Sequence, residues 1–540
     1  MRRWNSWGDS SINVELPESA KEFLTERLGS SQPLADAGLE EVLSKVPQSR
    51  LPLHPLIDSS AEVRLHYGSG QSFPNWLEMR SGQFPHVTDG VAFPESSEQV
   101  AELLQWAKTN DVIVVPYGGG TSVVGHLDIG RQSKPVLTIA MTRMNLLIDF
   151  DEESLIATFG AGANGPEVEA QLGALGYTLG HFPQSFELST LGGWVVTRSS
   201  GQQSLRYGRI EKMFVGGRME TLDGPLSLIP FPASSAGPDF KELVLGSEGR
   251  IGILTEVKVQ VQPLPEHEKF ITYFLPDWAT ALSAVKTLAQ RNVPLSMLRL
   301  SNPTETDTSL RLAVEENKLS KLNFLFRLKG LGDQKTMLTV GYTGAADQIR
   351  YAQRQVTSIL SMFKAKRVLS KLFGNKWEEG RFKGPYLREP LWKAGYAVDT
   401  FETALNWSNL GGYCEEVDQK ISEALSYIGV RVLSFSHLSH VYPQGSSVYT
   451  TYVFPCAPTY EETLDRWKVI KELASKTVVE HIGTISHQHG VGRDHAPYLE
   501  DEKGSRALNA LDAILEHFDD GQRLNPGSLT PSLNKTCETA

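Results

Sequence analysis

Val114-Val115-Pro116-Tyr117-Gly118-Gly119-Gly120-Thr121-Ser122 closes an apolar run with a proline, three glycines and two hydroxyls. The pattern predicts a buried strand, Val112–Val115, running into a turn with no side chains in the way. Backbone N–H groups there can close on a diphosphate. The turn has neither the lysine of a P-loop nor the spacing of a Rossmann fingerprint. A plain tight turn fits the same residues, so the meaning depends on what surrounds it.

Working outward, Ser96 and Gln99 read as a capping box opening a helix Val100–Thr109, with Val100, Leu103, Leu104 and Ala107 on one face. Val136–Met141 reads as a strand, and Leu147–Phe150 with Leu155–Phe159 as a hairpin. Pro166–Leu175 reads as a helix with Val168, Leu172 and Leu175 turned inward. Gly160-Ala161-Gly162-Ala163-Asn164-Gly165 fits G-x-G-x-x-G, but the acidic residue expected about 20 positions on is missing. A tight strand-to-helix connection near a cofactor is the better account. Two more stretches are rich in glycine and hydroxyls. One runs from Gly180-His181-Phe182-Pro183-Gln184-Ser185 through Ser189-Thr190-Leu191-Gly192-Gly193-Trp194 to Thr197-Arg198-Ser199-Ser200. A surface loop is its bland reading, against which Phe182, Phe186, Leu188, Leu191 and Trp194 speak. The other, Gly246-Ser247-Glu248-Gly249-Arg250-Ile251-Gly252-Ile253-Leu254, suggests backbone passing close to a ligand.

The chain has 540 residues and a net charge of −11. Its length asks for two or three cores. The charge argues against general nucleic-acid binding and leaves room for a local basic patch. Cys414, Cys456 and Cys537 form no CxxC pair, so a reducing compartment fits. No signal peptide, no run of about 18 apolar residues and no C-terminal peroxisomal tripeptide is read in the sequence. A cytoplasmic protein, at most peripheral to a membrane, is expected.

Pro263 and Pro265 end a strand of alternating Val257, Val259 and Val261. From there, strands Lys269–Leu275, Thr336–Tyr342, Val430–Phe435 and Val448–Phe454 alternate with helices Trp278–Gln290, Ala346–Phe363 and Glu461–Lys476. This predicts an antiparallel sheet covered on one face by helices. A last helix is expected over Ser505–Phe518. The division expected is a largely helical segment 1–82, a cofactor-binding α+β domain 83–264, a cap domain 265–480, and a segment 481–540 returning to the active site.

Pro116–Ser122, Pro183–Gly193, Thr197–Ser200 and Glu248–Leu254 resemble the FAD-binding segments of the vanillyl-alcohol-oxidase-like (PCMH-type) flavoproteins. Arg3-Trp4-Asn5-Ser6-Trp7-Gly8, Tyr207–Glu211, Gly237-Pro238-Asp239, Phe401-Glu402-Thr403 with Trp407, and Ser486-His487-Gln488-His489-Gly490-Val491-Gly492 are similar to the alkyldihydroxyacetonephosphate synthase family within that group. The resemblance runs from residue 3 to Pro526. It implies an α+β fold, a PCMH-type FAD-binding domain with an α+β cap, and non-covalent FAD, since the glycine turn carries no histidine. It also implies a redox-neutral transferase that replaces the acyl group of acyl-dihydroxyacetone phosphate with a fatty alcohol through a flavin N5 adduct. A homodimer and peripheral membrane contact are implied too, although no strongly basic amphipathic anchor is evident in the sequence.

Residue by residue, the resemblance makes Arg388 the phosphate ligand, Arg299 an arginine needed for activity, and His181 a neighbour of the flavin. Tyr449 becomes the group that moves the C1 proton, a role requiring nearby cations to lower its pKa. His487 and His489 match the outer members of a histidine triplet whose middle position here is Gln488, which cannot carry a proton. Gln184 replaces an acidic residue, while Ser185 remains. On sequence alone a surface arginine fits Arg388, a structural ion pair fits Arg299, and packing fits Tyr449. No metal is expected, because no carboxylate or cysteine set stands beside His487 and His489 in sequence. Two other functions fit the same FAD scaffold: a dehydrogenase or oxidase of a 2-hydroxy acid such as D-lactate or glycolate, and a flavoprotein without turnover.

Overall fold

The computed structural model describes residues 2–313 and 316–530. Ile113–Tyr117 is the edge strand of a four-stranded sheet, ordered Ile57–Asp58, Gly90–Ala92, Val136–Ala140, Ile113–Tyr117, whose last three strands run parallel. Its open edge is met from the far end of the chain. Val114 N–H donates to Arg523 O (2.7 Å), and Val114 O accepts from Asn525 N–H (2.8 Å). Helix Ser97–Thr109 covers this sheet through Val100, Leu103, Leu104 and Ala107. Ser96 Oγ accepts from Gln99 N–H as a cap should, but the Gln99 carboxamide accepts from Glu95 N–H, so the box stays open.

A five-stranded antiparallel sheet follows, ordered Leu147–Asp151, Ile156–Gly160, Ile253–Gln260, Phe214–Thr221, Gly224–Leu228. The hairpin of its first two strands is the one the sequence predicts. Helix Gly165–Gly173 buries Val168 and Leu172, but ends before Leu175, which is 47% exposed rather than inward. A Cβ at Gly162 would stand 1.8 Å from Met141 O. The G-x-G-x-x-G stretch is therefore a close backbone crossing, and Asn164 and Glu167 close a capping box at its helix.

The third sheet has six antiparallel strands, ordered His267–Leu275, Thr336–Gly344, Met297–Ser301, Leu433–Leu438, Gly445–Pro455, Tyr396–Asn406. The sequence reading missed Tyr396–Asn406, whose Thr400, Glu402 and Thr403 hide its pattern, and began the 433–438 strand three residues early. Strand alternation then divides the residues between two faces. Leu298, Leu300, Phe401, Val448, Tyr452 and Phe454 join a core under helices Trp278–Gln290, Ala346–Met362, Trp407–Glu423 and Tyr460–Glu480. Arg299, Thr400, Phe435, His437, Tyr449, Thr451 and Val453 line a cavity. Tyr449 stands in register between Glu402 and His437 on its two neighbouring strands.

Helix Ser505–Phe518 forms as expected. Cys414 and Cys456 are free and buried, and Cys537 lies outside the described residues. Among the described residues, no helix is long and apolar enough to cross a membrane.

Candidate active site

Two cavities meet where the glycine-rich stretches converge. The first is lined by Pro116, Tyr117, Gly118, Gly119, Gly120, Thr121 and Ser122, by Ser185, Ser189, Thr190, Gly192, Gly193, Thr197 and Ser199, and by Glu248, Gly249, Gly252, Ile253 and Leu254. The glycines do more than clear a path for a ligand. A Cβ at Gly119 would lie 1.9 Å from Leu188 O, and one at Gly118 would lie 2.3 Å from Thr190 Oγ1. The turn and the Ser185–Thr190 loop touch only because both positions are bare. Gly120 adopts φ +66°, a left-handed conformation. The amides of Gly119, Gly120, Thr121 and Ser122 meet no acceptor among the described residues. They form a row of donors that fits a diphosphate.

Glu248 ties this wall together. Its buried carboxylate accepts from Val491 N–H (2.5 Å), Gly492 N–H (2.9 Å) and Ser528 Oγ (2.7 Å), and faces His126 Nε2 at 3.1 Å. Burial alone would raise its pKa, but His126 and these donors hold it below the ordinary carboxylate range. Asn525 Nδ2 donates to Glu248 O (2.8 Å), so the returning C-terminal stretch braces the same residue.

Four expected residues stand elsewhere. Gln184 lines the second cavity. Arg198 turns outward to Glu242 Oε2 (2.6 Å). Ser200 is buried against His440 Nδ1 (3.1 Å). His181 is fully buried behind the wall, 3.2 Å from Ser199 Oγ and packed on Trp194; burial takes its imidazole down to about 3.

The second cavity, about 400 Å³, is of small-ligand size. Thr121, Val123, Ser185, Ser199, Gln488 and His489 line both cavities, so the two share a wall. One part of the second is polar, with Arg388, Arg299, Tyr449 and Gln71. Another is apolar, with Leu16, Ala20, Phe23, Leu24, Leu391, Leu433 and Val453.

Arg388 is half-buried, with its guanidinium 4.4 Å above the Trp76 ring and 5.7 Å from that of Phe73, and its Nε and Nη2 shut off from solvent. Nη1 donates to Gln71 O (2.7 Å), whereas Nε and Nη2 have no partner among the described residues. Burial lowers its pKa to about 10, which leaves it charged at neutral pH. A guanidinium with two buried, unmet donors is costly unless an anion completes it.

Arg299 is already engaged. Nη1 donates to His437 Nε2 (2.9 Å) and Nη2 to Glu305 Oε1 (2.8 Å), while His437 Nδ1 lies 2.9 Å from Glu305. Burial opposes ionisation of Glu305, but His437 and Arg299 take it down to about 2. The His437 ring stacks under Tyr449 at 5.0 Å. The Tyr449 hydroxyl lies 3.0 Å from Thr400 Oγ1 and 3.4 Å from Gln184 Oε1. Its pKa is raised, not lowered as the sequence reading required: burial dominates, and Glu402 and Asp399 outweigh the already paired Arg299.

His489 meets Tyr449 edge-on at 5.8 Å, with Nδ1 unpartnered among the described residues. Burial lowers it to about 4, so it is a neutral imidazole at pH 7. His487 lines neither cavity. Its Nε2 lies 2.7 Å from Tyr442 OH, and its Nδ1 faces Glu402 Oε1 at 3.3 Å. Glu402 Oε2 accepts from Gln488 Nε2 (2.5 Å) and Oε1 from Ser439 Oγ (2.8 Å). Burial would raise the Glu402 carboxyl, but His487 and His440 hold it well below its ordinary range. The carboxylate missing beside His487 in sequence thus arrives from a strand. Glu402, His440 and His487 bring three donor atoms within 4.8 Å, a set of types that could hold a divalent cation. Here hydroxyls and the Gln488 amide engage them.

Residues 88–227 match the FAD binding domain family, and residues 264–529 match the FAD linked oxidases, C-terminal domain. An alkyldihydroxyacetonephosphate synthase of Dictyostelium discoideum is 30% identical over 88% of this chain and 78% of its own. The chain belongs to the alkyldihydroxyacetonephosphate synthase family. The synthase of Trypanosoma brucei brucei is 26% identical over 99% of this chain and 94% of its own. A solved alkyldihydroxyacetonephosphate synthase superposes with a TM-score of 0.83 at 25% identity, over 97% of this chain and 98% of that one.

As a member of this synthase family the chain is an FAD-dependent enzyme. The free amides of Gly119–Ser122 and the close approach at Gly118 and Gly119 fit the FAD pyrophosphate in the first cavity. Sequence reasoning missed His126, Asn525, Gln71, Trp76, His437 and His440. Of these, Gln71 and Trp76 sit in the segment read only as helical and irregular, more than 300 residues from the arginine they hold. Glu402 had a signal, the Phe401-Glu402-Thr403 stretch, but no assigned role.

Proposed function

We propose that this chain exchanges the acyl group of acyl-dihydroxyacetone phosphate for a fatty alcohol, giving the alkyl ether. The C1–O bond to the fatty acid breaks, a C1–O bond to the alcohol forms, and no net oxidation occurs. The observation that carries the reading is the second cavity. Arg388 offers Nε and Nη2, both unpartnered, in a cavity whose other part is formed by Leu16, Phe23, Leu24 and Val453. A phosphate fits the fork of the guanidinium, and an alkyl chain fits the apolar part.

FAD supplies the electron-accepting ring for chemistry at C1. The chain's own groups bind, orient and move protons. Tyr449 Oη starts as a phenol and His489 as a neutral imidazole with a free Nδ1, so one can give a proton while the other takes the proton leaving C1. Gln488, fastened to Glu402, orients without titrating. Arg299 acts through His437 by fixing the ring under Tyr449.

Absorbance titration of the FAD-loaded protein tests the reading. Palmitoyl-dihydroxyacetone phosphate should change the flavin spectrum, while D-lactate and glycolate leave it unchanged. Anaerobic bleaching by a 2-hydroxy acid, with no response to the phosphate ester, would move the chain to the dehydrogenase reading.

A further inference from the structure

We infer that Glu402, His440 and His487 hold a divalent transition-metal ion, zinc by the chemistry of the set. Two imidazoles and a carboxylate suit zinc, and three protein donors leave a fourth position for water. All three side chains are buried, at 3% exposure or less. Their donor atoms stand close to the places an ion needs. Zinc–ligand bonds of about 2.0–2.1 Å put the corners of a tetrahedron about 3.3–3.4 Å apart. Glu402 Oε1 lies 3.3 Å from His487 Nδ1 and 3.9 Å from His440 Nε2, and one donor atom from each residue falls within 4.8 Å of the others. Closing around an ion therefore asks for side-chain shifts on the order of 1 Å.

The surroundings leave these atoms facing one another. His440 Nδ1 is engaged by Ser200 Oγ (3.1 Å) and Ser204 Oγ (2.9 Å), and His487 Nε2 by Tyr442 OH (2.7 Å). Outer hydrogen bonds of this kind fix the tautomer and ring orientation of a ligating histidine. Glu402 Oε2 is fastened to Gln488 Nε2 (2.5 Å), and Oε1 accepts from Ser439 Oγ (2.8 Å) while keeping a second lone pair. His487 Nδ1 is buried and makes no hydrogen bond among the described residues, although it faces that carboxylate. An orphaned buried nitrogen costs free energy that an ion recovers. Burial keeps both imidazoles below their ordinary range, so neutral lone pairs are available for ligation. Arg209 stands near enough to oppose a cation, but Glu211 answers it at 2.9 Å. The sequence reading expected no metal because no carboxylate stands beside His487 in the chain, and Glu402 removes that ground. An ion here joins strand Tyr396–Asn406, the turn after strand Leu433–Leu438 and the segment 486–492. Its role is positioning, since that segment carries Gln488 and His489, which line both cavities.

The test uses the full FAD-loaded chain, stripped with a chelator, reloaded with zinc and desalted. Elemental analysis should find about one zinc per FAD, undiminished by excess magnesium, which prefers octahedral oxygen sites. X-ray absorption at the zinc edge should show nitrogen and oxygen neighbours at about 2.0–2.2 Å, imidazole scattering beyond them and no sulfur. Glu402→Gln and His440→Gln should each weaken zinc binding at least about tenfold. His481→Gln, at an imidazole paired with Glu416 outside the cluster, should leave it unchanged. Less than about 0.2 zinc per FAD after reloading overturns the inference. So does cysteine sulfur in the zinc spectrum, or zinc that His481→Gln removes and Glu402→Gln spares. Where the cluster variants fail to fold, the spectrum of the parent chain decides. Zinc is read without turnover, so a chain that holds it but forms no ether refutes the reaction alone.

Discussion

Replacing Arg388 with methionine removes the guanidinium and keeps a stem that can lie on Trp76. Among the described residues the guanidinium donates once, to Gln71 O, and its Nε and Nη2 are unmet. If those two donors hold a substrate phosphate, their loss removes two charge-assisted hydrogen bonds of about 1.5–3 kcal/mol each. Together that is about 3–6 kcal/mol, or a fall of roughly 10²–10⁴ in kcat/KM. Stability should respond differently. A cation with buried, unmet donors contributes little to the empty fold, so the variant's unfolding free energy should stay within about 1 kcal/mol of the parent. Steady-state kinetics with palmitoyl-dihydroxyacetone phosphate and hexadecanol, beside urea unfolding of the ligand-free protein, separate the two. A variant within about threefold of parental kcat/KM, but several kcal/mol less stable, would make Arg388 a structural cation and refute the reasoning.

Tyr449→Phe should keep FAD content and lower kcat by about 10²–10⁴, the usual share of a proton-transferring group; near-parental turnover would leave the hydroxyl idle. Glu248→Gln removes the charge that holds Val491, Gly492 and Ser528, and should cost about 3 kcal/mol together with FAD retention, read by thermal unfolding and flavin content after gel filtration. Gly119→Ala places a methyl against Leu188 O, so flavin titration should show FAD affinity reduced at least about tenfold. His181 and His489 are held unprotonated, down to about 3 and about 4, whereas an unfolded imidazole titrates near about 6.5. The unfolded chain therefore takes up protons first, and stability falls as the pH drops from about 6.5 towards 4, by about 2 kcal/mol per imidazole at pH ~5. Urea midpoints at about pH 7 and about pH 5 check this, and a flat profile contradicts it.

The cofactor side of the site was legible because close backbone approach demands glycine, which leaves a mark in the sequence. Gly118, Gly119, Gly192, Gly193, Gly249 and Gly252 converge on one cavity. Even there, Gly118 and Gly119 serve loop-to-loop contact as much as any ligand. The catalytic face was less legible, because the sheet brings its residues together across strands. Glu402, Tyr449 and His437 are neighbours only through register. Tyr396–Asn406 was overlooked since a strand with one polar, cavity-facing side lacks the apolar run that announces a buried strand. Arg388 shows the same limit: Trp76, Phe73 and Gln71, which define its environment, lie more than 300 residues away in the chain.

The central claim is ether exchange at C1, and heavy-oxygen-labelled hexadecanol tests it most directly. Incubated with palmitoyl-dihydroxyacetone phosphate and the FAD-loaded chain, the labelled alcohol should give hexadecyl-dihydroxyacetone phosphate that carries the label in its ether oxygen. Mass spectrometry should find free palmitate in equal amount, with the flavin oxidised at the end. An unlabelled ether oxygen, or no ether while a 2-hydroxy acid reduces the flavin, would contradict the account.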